Sequence, residues 1–122
     1  MIEKVNLEQK FALINEYWSP RIAGRVNDFE VKLAKLQGEF IWHQHDEEDE
    51  LFLVVAGSLT IEVRDQRAIH LEAGEFVIIP RGVAHRPVAE TECHVLLLEP
   101  AGTLNTGSAG DSAFTVAHPD II

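Results

Sequence analysis

Over most of its length the chain alternates apolar and polar residues with a period of two, the pattern of strands that lay one face on a core. Residues 22–26 and 29–36 flank Asn27-Asp28 and read as a hairpin, with apolar positions at 29, 31 and 33 in its second arm. After a break at Gln37-Gly38-Glu39, residues 40–43 form a further strand that ends in the acidic turn 46–49. Residues 51–56 are apolar at every position, which predicts a strand covered on both faces, inside a sandwich or against a second subunit. Gly57-Ser58 turns the chain into the cleanly alternating 59–64, and the strands 68–71 and 76–79 follow, separated by Glu72-Ala73-Gly74-Glu75. The turn 80–85 leads to the last strands, 86–88 and 92–99. About nine short strands punctuated by Gly, Pro, Asn and Asp, with hardly any helix, make the fold class all-β, an antiparallel sandwich or barrel.

The two ends depart from this pattern. In 7–18, Leu7, Phe11, Ile14 and Trp18 recur at spacings of three and four behind Asn6, which can cap a short amphipathic helix. An extended arm is the competing reading, and Ser19-Pro20 ends either element. Residues 102–112, rich in Gly, Ser, Thr and Asn, predict a surface loop, with Phe114 and Val116 as docking points. The chain therefore divides into an N-terminal segment (1–20), a barrel core (about 21–100) and a tail (101–122) within one domain.

Composition narrows the partners. At 122 residues, 46% hydrophobic and 25% charged, the chain is long enough for a sizeable core. Ten Lys and Arg against twenty Asp and Glu give a net charge of −10, which argues against nucleic acid and anionic membranes. No apolar run reaches the length of a membrane span and the first residues lack the layout of a leader peptide, so the expectation is a cytoplasmic protein. One cysteine, Cys93, excludes an intramolecular disulfide and reads as a small hydrophobe on a strand. The doubly apolar strand and the amphipathic N-terminal segment, which could cover a neighbour's sheet, predict a homodimer.

The candidate chemistry lies in 42–57. On a strand His43 and His45 face the same way, and Glu50 arrives from the next strand, so two imidazoles and a carboxylate converge. Taken alone, such a pair beside an acidic turn reads as solvated surface. Pro80 and Gly82 fix a tight turn that sets the direction of His85. His70, His94 and His118 read as hydrogen-bonded or exposed, and Trp42, facing away from His43, as core or dimer packing. Phe52 and Val54 share the parity of Glu50 and should line a pocket. Arg21, Arg25, Lys32 and Lys35 read as solvated strand positions, the alternative being an inward cation that binds a carboxylate or phosphate; Arg81 has the same standing at the pocket mouth.

Read together, two segments carry a resemblance. Residues 38–57 run Gly38, four residues, His43-x-His45, four residues, Glu50, six residues, Gly57; residues 74–85 run Gly74, five residues, Pro80-x-Gly82, two residues, His85. This resembles the cupin superfamily, whose first motif is Gly, five residues, HxH, three or four residues, Glu, six residues, Gly, and whose second is Gly, five residues, PxG, two residues, His, three residues, Asn. Gly38 stands one residue closer to His43 than that pattern, and Ala89 replaces the usual Asn; neither is a ligand position.

The resemblance implies a double-stranded β-helix, or jelly-roll barrel, with a short N-terminal segment. It implies further that His43, His45, Glu50 and His85 are the ligands of one divalent transition metal, Mn, Fe, Ni, Cu or Zn, inside that barrel. Glu47 and Glu48 compete for the carboxylate place, and the spacing to Gly57 favours Glu50. Three imidazole nitrogens and one carboxylate oxygen suit such a metal, and an octahedral ion keeps two positions open. The functional expectation is a metal-dependent enzyme, isomerase- or dioxygenase-like, acting on a small polar metabolite in a mostly apolar cavity. The alternative is a non-catalytic metal- or small-ligand-binding or sensor module.

Overall fold

Seven strands, all paired antiparallel, form the framework of the computed structural model, which describes residues 2–122. They are β1 (Arg21–Val26), β2 (Phe29–Glu39), β3 (Glu50–Ala56), β4 (Ser58–Val63), β5 (Ile69–Glu72), β6 (Phe76–Ile79) and β7 (His85–Pro100). The sheet runs β1-β2-β7-β3-β6, and the β4–β5 hairpin attaches through β4 to β7. One long strand thus serves two sets of partners. The start of β7 pairs with β4, His85 opposite Val63, while its end lies between β2 and β3, Leu97 opposite both Lys32 and Phe52. This is the jelly-roll arrangement that the strand pattern and the resemblance implied.

The count differs from the sequence reading because 86–88 and 92–99 belong to one strand. Glu90, Thr91 and Glu92 are exposed, yet the backbone stays extended through them. Gly57 explains the close passage there: its φ is +81°, and a Cβ at this position would come 2.8 Å from the Glu92 carbonyl oxygen. Residues 40–43 are likewise not a regular strand. Phe40 donates its amide to the Pro87 carbonyl (3.0 Å), and His43 forms an isolated bridge with His85.

Both readings of the N-terminal segment hold, one after the other. The helix α1 spans Leu7–Phe11, with the Asn6 side chain accepting from the Gln9 amide (2.9 Å). Its end tightens into bonds three residues apart, Leu13 to Lys10 and Ile14 to Phe11, and Tyr17 then bridges Lys35 as an extended arm. Phe11 and Ile14 bury against Leu33, Val55 and Leu96. The apolar outer face of β3 is therefore covered partly by the chain's own N-terminal segment.

Alternation sorts β2 in the opposite sense from its apolar pattern. Glu30, Lys32, Ala34 and Leu36 are buried, whereas Phe29 is exposed and Val31 half-buried; Leu33 alone of the three apolar positions is buried, on the opposite face beneath the N-terminal segment. The tail is ordered against the barrel: Thr106 is fully buried, a 3-10 turn spans Gly107–Ala109, and Ile122 donates its amide to the Ile22 carbonyl (2.9 Å). Phe114 docks edge-on against Phe40 and Trp18, as the sequence suggested. Among the described residues no helix is long and apolar enough to cross a membrane.

Candidate metal centre

The two segments that carry the motifs are stitched together by backbone. The His43 amide donates to the His85 carbonyl (3.1 Å), the His85 amide to the His43 carbonyl (2.8 Å), and the Gly82 amide to the His45 carbonyl (2.8 Å). A side chain adds a fourth tie. Asp49 accepts from the Arg81 amide at 2.9 Å, and Arg81 holds its carboxyl below the usual range. Sequence reasoning placed Asp49 in a solvated turn and Arg81 at the pocket mouth, and missed that they face each other.

Within this frame His43, His45, Glu50 and His85 come together, all buried, with one ligand atom from each lying within 4.8 Å of the others. Carbonyl oxygens fix two of the rings: His43 Nδ1 lies 3.0 Å from the Ile41 oxygen and His85 Nδ1 2.9 Å from that of Val83. A carbonyl only accepts, so each Nδ1 carries the proton and each Nε2 keeps its lone pair, the form in which imidazole ligates. Glu50 Oε1 stands 3.5 Å from both His45 Nε2 and His85 Nε2.

These atoms fit a metal. At bond lengths of about 2.1 Å, neighbouring ligand atoms of an octahedral ion lie about 3 Å apart and opposite ones about 4.2 Å, so small inward rotations complete a shell. His45 Nε2, His85 Nε2 and Glu50 Oε1 are moreover buried without hydrogen-bond partners, a costly state for polar atoms that a cation relieves. Electrostatics favour the same reading. Burial and the neighbouring His85 lower the His43 imidazole to about 4, so it stays neutral at physiological pH. Burial alone would raise Glu50, but the His45 and His85 imidazoles beside it hold it well below the ordinary range, as an anion. Burial would lower His45, and Glu50 outweighs this and raises it.

The rival carboxylates stay outside: Glu47 is exposed and Glu48 half-buried on the acidic turn. His70 is exposed and bonds Glu72 (2.8 Å), His94 stacks on Phe11 at 4.6 Å, and the exposed His118 lies on the tail. Trp42 is neither core nor ligand wall but a surface ring between Arg64 and Arg86, each 5.5 Å from its centroid.

The centre opens on a small cavity of about 40 Å3. Trp18, Leu36, Phe40, Phe52, Val95 and Leu97 make it largely apolar, and His43, Glu50, Glu99 and Asn105 supply polar groups. Phe52 lines it as expected, whereas Val54 is sealed in the core behind. Sequence reasoning missed Glu99. Its carboxyl is 1% exposed, and Oε1 accepts from Lys32 Nζ at 2.8 Å, so the inward-cation alternative holds for Lys32. Burial, then the Glu50 charge, push Glu99 well above the ordinary carboxylate range against the pull of Lys32. The available signal was parity, since Lys32 shares a face with Ala34 and Leu36, and Glu99 with Val95 and Leu97. Arg21 and Arg25 instead make peripheral pairs, with Glu16 (3.8 Å) and Glu30 (3.2 Å).

Comparison with known proteins agrees with this architecture. The family model of the cupin domain matches residues 29–99. The uncharacterized protein YdbB of Bacillus subtilis (strain 168) is 44% identical over 61 residues, 50% of this chain and 54% of that protein, so the match spans about half of the relative's length. A crystal structure of a cupin-2 domain containing protein from Shewanella frigidimarina superposes with a TM-score of 0.76 at 48% identity, covering 79% of this chain and 93% of that one. Protein NMB1881 from Neisseria meningitidis gives 0.75 at 35% identity, covering 81% and 100%. With the family model spanning more than half of the chain and solved relatives at 48% and 35% identity over about four fifths of it, this chain belongs to the cupin family.

Proposed function

We propose that His43, His45, Glu50 and His85 hold one divalent transition metal, Mn, Fe, Ni, Cu or Zn, and that the chain is a metal-dependent enzyme that isomerises or oxygenates a small organic molecule. The carrying observation is the convergence of these four buried groups, three of them with an unpartnered ligand atom, with His43 and Glu50 at the wall of an apolar cavity. When bound, such a metal supplies a Lewis-acidic centre and, if redox-active, a route to oxygen chemistry. The protein's part is positioning. The Ile41 and Val83 carbonyls hold two imidazoles in their ligating tautomer, Glu50 contributes the anion, and the Trp18, Phe40 and Phe52 walls exclude water.

The test is to purify the protein, determine its metal by mass spectrometry, and follow oxygen uptake and isomerisation over small acids, phenols and sugars. One metal per chain with turnover is the expected result. Metal and ligand binding without turnover would make the chain a binding or sensor module, and no metal uptake would refute the centre.

We also propose a homodimer. The support is the edge strand β6, where Phe76 and Ile78 are 61% and 52% exposed on one face. A monomeric mass by light scattering at micromolar concentration would refute it; Phe76→Lys should dissociate the dimer.

A further inference from the structure

Glu99 stands at the cavity wall beside His43 and Glu50 but outside the four-residue cluster. Its two carboxyl oxygens are unequally employed. Oε1 accepts from Lys32 Nζ at 2.8 Å, and Lys32 has further partners in the Thr103 carbonyl (3.2 Å) and Glu30 (3.9 Å). Oε2 is buried without a hydrogen-bond partner of good geometry, and the carboxyl lies close enough to that of Glu50 for the two to interact. Lys32, 1% exposed, does not line the cavity; Glu99 does, and is anchored to it from one side. A buried carboxyl with one oxygen fixed and the other unsatisfied in apolar surroundings is a preorganised hydrogen-bonding group, strong because little water competes for it.

Resting on the reading of this cavity as the ligand site, we propose that Glu99 Oε2 anchors a hydroxyl group of the ligand, and that the ligand is a small neutral hydroxylated molecule with a flat apolar body. The body follows from the walls: Trp18 and Phe40 stack at 4.8 Å and 20°, with Phe52 also at the cavity surface. The neutrality follows from the charges. No lysine or arginine lines the cavity, and Lys32 behind it is already bonded to Glu99, so the protein offers a carboxylate or phosphate ligand no cation of its own beside the Glu50 anion.

Phenol and toluene, which differ by one hydroxyl against one methyl, test this. They are titrated into the full-length protein, zinc-loaded and after chelation, with Trp18 emission as the reporter in a Trp42→Phe background. The chelated protein should bind phenol about tenfold more tightly than toluene, the discrimination of one buried hydrogen bond. In Lys32→Met/Glu99→Leu, which replaces the ion pair by apolar groups, that preference should fall to within about twofold while zinc stoichiometry stays at one per chain. Glu99→Gln, still a hydrogen-bonding group, should keep most of the preference. Equal affinities in the chelated wild type, a comparison that needs no folded variant, or a preference that survives in the double variant, would overturn the role of Glu99 and leave the metal centre standing. Failure of both compounds to bind would overturn this role together with the ligand site, and loss of zinc binding in the wild type would refute the metal reading independently.

Discussion

His43 and His85, 42 positions apart in sequence, exchange both backbone hydrogen bonds and bring their rings to 4.4 Å between centroids. That bridge joins the two motif segments at the site itself, and it is made by backbone atoms that survive truncation of either side chain. His43→Ala and His85→Ala should therefore remain folded but lose metal affinity by more than about a hundredfold, since each removes a ligating nitrogen. Thermal melts check this. Metal at about a thousand times its dissociation constant should stabilise the wild type by about 4 kcal/mol and the variants by almost nothing.

Cys93 carries a pH prediction independent of the centre. Burial pushes its thiol up from 9.0 to about 11. Between these values the unfolded thiol releases its proton and the native one keeps it, so stability is present in full below pH 9 and declines as pH rises towards 11. Two units correspond to about 2–3 kcal/mol. Denaturation of wild type and Cys93→Ala at pH 8, 9, 10 and 11 should show a gap that narrows by about that amount; a parallel course would contradict it. Alkylation of the native thiol by iodoacetamide at pH 8 should be slow.

How much of this was legible in the sequence depends on the range of the signal. The spacing of His43, His45, Glu50 and His85 is carried by two short stretches, each contiguous in sequence, whose glycines and Pro80 mark the turns around them. Lys32 and Glu99 were harder to read: despite their parity with buried neighbours, charges at alternate strand positions look like a solvated face, and it is the pairing of β2 with β7 that brings the two side chains together in the interior. The helix ended early because Tyr17 and Trp18 bond to Lys35 on the sheet, a tertiary preference that no local periodicity records. The tail looked disposable by composition, yet its small residues are what allow it to lie flat on the barrel.

Gly107 makes that last statement testable. Its φ is +51°, and an added Cβ would collide with the Gln44 carbonyl, between the two histidines of the first motif. The neighbouring Ser108 amide donates to the same carbonyl at 2.9 Å. Gly107→Ala should lift the 3-10 turn from this strand segment, costing about 1–3 kcal/mol and exposing the Ser108 amide to rapid hydrogen exchange. Metal release should also quicken, because the turn lies against the His45 ring. Unchanged exchange at Ser108 would show that the tail adapts without leaving.

The Lys32–Glu99 pair makes the sharpest stability prediction, because its members fail differently alone and together. Both are buried and bonded to each other at 2.8 Å, on adjacent strands of the barrel. Lys32→Met leaves a carboxyl facing Glu50 with no cation, and Glu99→Leu leaves a buried ammonium with only the Thr103 carbonyl and the more distant Glu30. Each should cost about 3–5 kcal/mol, the penalty for stranding one member of a buried pair. Joining the two substitutions removes both charges and fills the space with apolar groups, so the double variant should lie within about 1–2 kcal/mol of wild type, far from the sum. Urea denaturation of the four proteins measures the coupling. Additive losses would mean that the two side chains are solvated enough to be independent, and that the barrel interior is wetter than their burial indicates.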